Sequence, residues 1–79
     1  MFDYNICNQA DNDVFISQCK TIESNIYGLI KEETIEDVDG SVFQKYTLRN
    51  LSLTVYNDKE VDAIYVKSDF DLVPYFKKQ

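Results

Sequence analysis

The 79-residue chain carries 14 acidic against 8 basic side chains, a formal net charge of −6, with 44% hydrophobic residues and neither His nor Trp. That length suits one small domain, 1–79, rather than two, and the hydrophobic content argues against disorder. No apolar run approaches the ~18 residues of a membrane span, and MFDYNIC lacks a basic region followed by an apolar stretch, so a cytoplasmic setting is expected.

Phe2, Tyr4 and Ile6 alternate with Asp3 and Asn5, the period-2 pattern of a half-buried strand. The polar stretch Asn8–Asp13 follows, where Asp11, Asn12 or Asp13 can cap a helix. Phe15, Cys19, Ile22, Ile26, Leu29 and Ile30 then recur by threes and fours, which predicts one amphipathic helix over 13–31 that Gly28 weakens without ending. Beyond it the period becomes two. Thr34–Val38, the turn Asp39-Gly40 and Ser41–Leu48 read as a hairpin with Ile35, Val42, Tyr46 and Leu48 on its inward face.

Apolar positions are even up to Leu48 and odd from Leu51. A two-residue turn at Arg49-Asn50 produces that switch, and so would a bulge within one long strand. A further turn at Asn57-Asp58-Lys59-Glu60 joins Leu51–Tyr56 to Val61–Lys67, with Leu51, Leu53, Val55, Ile64 and Val66 inward. The tail from Ser68 to Gln79 is apolar enough to pack back as a short strand or turn, Pro74 marking an edge. The predicted fold is α+β: one amphipathic helix on an antiparallel sheet of four to five strands, in the order β-α-β-β-β-β with the last four as a meander.

The chemistry of this chain is narrowed by what it lacks. Without His there is no ordinary general base near neutral pH and no Ser–His or Cys–His pair. Cys19 falls on the apolar stripe and Cys7 has no activating neighbour in sequence, so both are expected as reduced thiols. Glu36-Asp37-Val38-Asp39-Gly40 brushes a calcium-loop pattern but has Ile35 and Tyr46 at its first and twelfth ligand positions. Gly28 and Gly40 stand alone, so there is no phosphate-cradling loop. The expectation is a protein that is not an enzyme and needs no cofactor or metal.

Charge is distributed unevenly. Residues 1–39 hold nine acids against Lys20 and Lys31, a net of −7, whereas residues 40–79 hold five acids against six bases, a net of +1. Glu32, Glu33, Glu36, Asp37 and Asp39 form the densest cluster, read as spanning the helix exit and the next strand. Carboxylates at a helix C-terminus oppose its dipole, and crowded like charges repel, so a basic partner would relieve both costs. Alternatively, the run is a solvated edge. Phe43, Tyr56, Val61 and Tyr65 are predicted to point away from the helix, as a binding or dimer face unless the tail folds over it.

These features favour an acidic inhibitor that occupies the basic or nucleic-acid-binding surface of another protein, such as a nuclease, by imitating spaced phosphates. In size, acidity and lack of catalytic groups the chain resembles bacterial immunity proteins (antitoxins of nucleases) and phage anti-CRISPR proteins. The resemblance is compositional and carries over no functional residue. A small homodimeric accessory subunit, joined through its outer sheet face, is the alternative. A single Arg in an overall negative chain argues against direct binding to nucleic acid or to an anionic membrane, and Lys77-Lys78 are too few to reverse that.

Overall fold

The structure is a computed structural model and describes residues 1–76. The alternating start forms β1 (Phe2–Cys7), and Asp11 then caps α1 (Asn12–Asn25), its carboxylate accepting the Asp13 and Val14 amides at 2.8 and 3.1 Å. The helix ends at Asn25 instead of near residue 31. Ile26 is already extended (φ −115, ψ 101), Gly28 turns the chain at φ +84, and Ile30 is paired in the sheet with Thr47. The apolar spacing does continue past Asn25, since Ile26 stays buried, but strand pairing captures the backbone before another helical turn can form.

β2 (Ile30–Glu36), β3 (Val42–Leu48), β4 (Leu51–Asp58) and β5 (Ala63–Ser68) follow as an antiparallel meander, and β1 returns beside β5. The sheet order is β1-β5-β4-β3-β2, so β1 and β2 are its two edges. The phase switch resolves as a two-residue turn: Leu48 pairs with Leu51 and Tyr46 with Leu53, with Arg49 at φ +59.

The first hairpin differs from expectation by one residue. Its loop is Val38-Asp39-Gly40, closed by the Asp37 amide donating to the Ser41 carbonyl at 2.8 Å, with Gly40 in the left-handed region at φ +88. Ile35 therefore pairs with Phe43 and joins the outer face, not the inward set with Val42, Tyr46 and Leu48. A one-residue shift moves every side chain of the strand to the other face.

The core gathers Phe15, Cys19 and Ile22 of α1 with Ile26 and with Tyr46, Leu53, Val55, Ile64 and Val66 of the sheet. Leu72 completes it from the tail. The expected last element was a strand or turn. It is instead a single helical turn, α2 (Val73–Phe76), so the element order does not end at the fifth strand. Pro74 lies in its first turn, where the missing N–H costs nothing. The Leu72 amide donates to the Tyr4 hydroxyl, which donates to Asp71 (both 2.8 Å), so the tail is latched to β1 on the helix side of the sheet. Residues 77–79, the end of the expected tail and the site of Lys77-Lys78, lie outside the described residues.

Candidate protein-binding surface

β2 is exposed along its whole length and carries Glu32, Glu33 and Glu36, while Asp37 and Asp39 sit on the loop that follows. None of these is at a helix C-terminus, so the expected conflict with the helix dipole does not arise: α1 stops at Asn25. The cluster belongs to a sheet edge. Lys31 pairs with Tyr46 and Thr34 with Gln44, so the register shifts between them and Glu32-Glu33 together oppose Lys45.

Gln44 holds this bulge in place. It is buried, and its amide nitrogen donates to the backbone carbonyls of Glu32 at 2.9 Å, Glu33 at 3.3 Å and Lys45 at 3.1 Å, while its oxygen accepts the Thr34 hydroxyl. Beside it the Tyr46 hydroxyl donates to Glu23 of α1 at 2.6 Å, and Lys31 approaches the same carboxylate oxygen at 3.5 Å. Burial, then the Glu23 bond, pushes the Tyr46 hydroxyl far above the usual phenol range. The Lys31–Glu23 contact is the one ion pair among the described residues, so the five clustered acids make none.

The meander adds acids to this cluster from elsewhere in the chain. Its β2–β3 and β4–β5 loops lie at the same end of the sheet: the Lys59 amide donates to the Ser41 hydroxyl at 2.8 Å, and the Lys59 side chain lies against Gly40. The Ala10 amide donates to Asp62 at 2.8 Å, which ties in the segment leading to α1. Asp58, Glu60 and Asp62 thus stand with Asp37, Asp39 and Asp11, with Lys59 the one base in the two hairpin loops. Hydrogen bonds from the Ser41 backbone and hydroxyl, and then Lys59, hold the Asp39 carboxyl below the ordinary carboxylate range. Sequence reasoning missed these three acids because residues 40–79 are nearly neutral in sum. The signal was available, because alternate turns of a meander share one end of the sheet.

Across the outer face, register aligns Ile35, Phe43, Tyr56, Tyr65 and Asn5 in one row over all five strands. The Phe43 and Tyr56 rings meet edge to face at 5.2 Å, and Tyr56 stacks on Tyr65 at 4.7 Å with 16° between planes. The Tyr65 hydroxyl donates to Asp58 at 2.7 Å, and burial followed by that bond pushes its pKa up to about 12. The rings are half-buried by one another, and Leu72 and α2 lie on the opposite side, so the described tail leaves this face uncovered.

Val61 is not part of the row. The Asp58 carboxylate accepts the Glu60 and Val61 amides at 3.0 and 3.3 Å, and Asp62 takes φ +56, so the chain re-enters the sheet only at Ala63. Val61 is a turn residue, 60% exposed, beside the acidic loops. Cys7 is half-buried and Cys19 buried, both as free thiols, and burial raises the Cys19 pKa. Among the described residues no three His, Cys, Asp or Glu side chains converge as metal ligands, and no helix is long and apolar enough to cross a membrane. No protein family, curated protein or solved structure matches the chain.

Proposed function

We propose that this chain is an acidic protein-binding inhibitor that covers a basic surface of another protein, of the kind a nuclease or nucleic-acid-binding effector presents. One amphipathic helix, α1, backs the sheet and leaves the other face free for the partner. The observation that carries the reading is the pairing of Ile35 with Phe43. It joins the aromatic row directly to the acid-bearing strand, so half-buried rings that can be desolvated lie next to carboxylates that have no ion-pair partner among the described residues. Interfaces are built this way, with aromatic anchors at the centre and charge at the rim, and the charge accelerates encounter.

Protection of a sheet edge also favours charged residues and bulges, and it accounts for Glu32, Glu33 and Glu36 on β2. It does not account for Asp58, Glu60 and Asp62, which lie away from that edge, nor for the aromatic row. A self-associating accessory subunit is the second reading, favoured by the same row of rings left open by the described tail.

The test starts from proteins retained by the immobilised chain from a native extract and proceeds to association rates of each purified basic protein. Charge reversal of Glu32, Glu33, Glu36, Asp37 and Asp39 to Lys is expected to slow association at low salt by about tenfold or more, with the fold retained by circular dichroism. An on-rate indifferent to both reversal and salt would remove the inhibitor reading. A salt-insensitive homodimer disrupted by Tyr56→Ala would favour the accessory subunit instead.

A further inference from the structure

We infer that β1 pairs antiparallel with β1 of a second copy, joining two five-stranded sheets into one across a two-fold axis at Tyr4. This does not rest on the reading of the acidic edge.

Three observations converge on β1. First, it is an open edge: among the described residues, its backbone makes no hydrogen bond outside the pairing with β5, and most of the strand is exposed. Unpaired edge N–H and C=O groups are a template for another strand. Second, the edge is apolar where an edge is normally guarded. Phe2 is 41% exposed and Ile6 37%, and Asp3 is the one charged residue of the strand. Third, an apolar cavity of about 630 Å³ opens beside it, lined by Tyr4, Ile6, Val66, Leu72 and Phe76 among others.

Symmetry then selects the register. A two-fold axis normal to the sheet keeps each face on its own side, so paired residues must have the same parity. Centring on Asp3 would set two carboxylates against each other, and centring on Asn5 would leave Phe2 without a partner. Centring on Tyr4 sets Asp3 opposite Asn5 within the regular stretch Phe2–Asn5, and brings Phe2 of each copy to the bulge at Ile6 of the other, at the margin of the apolar cavity. Within the paired strands no like charges meet, Asp71 on the Tyr4 hydroxyl being the acid nearest the axis, and both exposed apolar side chains gain cover. The same operation at β2 would bring two acidic strands together, so the second copy belongs at β1. In the joined sheet the two acidic edges lie at opposite ends.

The register makes the test specific. Light scattering of the purified chain over a concentration series is expected to reach twice the 9.2 kDa chain mass. Asn5→Asp places a carboxylate opposite Asp3 twice per dimer and is expected to weaken dimerisation about tenfold. Asn5→Lys places an ammonium there and is expected to preserve or tighten it. Both substitutions are on an exposed residue, and thermal melts of the two variants check that the fold survives. A chain that stays monomeric to about millimolar concentration overturns the inference. A dimer that responds equally to both substitutions, or to neither, places the seam elsewhere and also overturns it. Neither substitution touches the acidic edge and no other protein is present, so the outcome does not depend on whether a basic partner exists.

Discussion

The two edges of this sheet face the same physical hazard and meet it differently. β2 carries three carboxylates in seven residues and a bulge at Glu32-Glu33, and its loop adds Asp37 and Asp39. β1 carries Asp3 alone, keeps four regular pairs with β5 from Phe2 to Asn5, and presents Phe2 and Ile6 to solvent. A strand pairing with β2 would meet repulsion and a kinked backbone, whereas one pairing with β1 would meet neither along Phe2–Asn5. Both edges carry a bulge, but that of β1 lies at Ile6, beyond the regular stretch Phe2–Asn5, whereas that of β2 interrupts the strand at Glu32-Glu33; the side chains and the place of the bulge set the two edges apart. On the proposed reading, the carboxylates that close β2 to copies of itself would also attract a cationic surface.

The largest effect is expected from loosening the β2 edge at its anchor. Gln44→Ala leaves the bulge carbonyls of Glu32 and Glu33 without their donor and empties a buried site, a loss of about 2–4 kcal/mol by denaturant titration. Hydrogen exchange is expected to quicken in β2 while β1 keeps its protection against β5. Equal loss at both edges would show that the bulge is not held locally.

Alkaline titration distinguishes the tyrosine nearer β1 from the one nearer β2. Tyr65 pairs with Asn5 of β1, and its pKa is raised from 10.0 to about 12, so the folded state favours the protonated hydroxyl. Its contribution to stability is complete below pH 10 and is lost as pH rises towards 12. Tyr46, paired with Lys31 of β2, is shifted further in the same direction and is expected to ionise after Tyr65. Melting temperature against pH should thus fall above pH 10, less steeply in Tyr65→Phe; an identical decline in that variant would assign the loss to other groups.

The smallest effect is expected from the acids themselves. Glu32→Gln with Glu33→Gln removes exposed repulsion and should raise stability by no more than about 0.5 kcal/mol at low salt, a gain that disappears at high salt. The same change tests the guarding of β2: concentration-dependent association when it is combined with Asn5→Asp, beyond that of Asn5→Asp alone, would show the second edge becoming adhesive.

Much of the fold could be read from residue spacing. A cap within Asp11–Asp13, the buried positions Phe15, Cys19 and Ile22, and the inward set Leu53, Val55, Ile64 and Val66 follow from local patterns; the structure selects Asp11 as the cap and the Arg49-Asn50 turn over a bulge, and leaves Leu51 of the inward set exposed beside that turn. The candidate surface was only partly legible. Phe43, Tyr56 and Tyr65 share the outer face as their parity requires, but Ile35 joined them through a loop one residue longer than the Asp-Gly pair suggested. Glu32 and Glu33 proved to be strand residues because Ile30, although in step with the helical stripe, pairs with Thr47 instead.

By itself, the sequence determined most of the elements and the faces of β1, β3, β4 and β5, because hydrophobic period and capping chemistry act within a few residues. It also determined the excess of carboxylates and the absence of His. Tertiary structure decided which strands became edges, and so which segment needed guarding and which was left open. It also brought Asp58, Glu60 and Asp62 beside Asp37 and Asp39, and set Ile35 against Phe43. Those outcomes depend on pairing between distant segments, where a loop of one extra residue or a single bulge changes the face of a whole strand, and no local pattern carries that information.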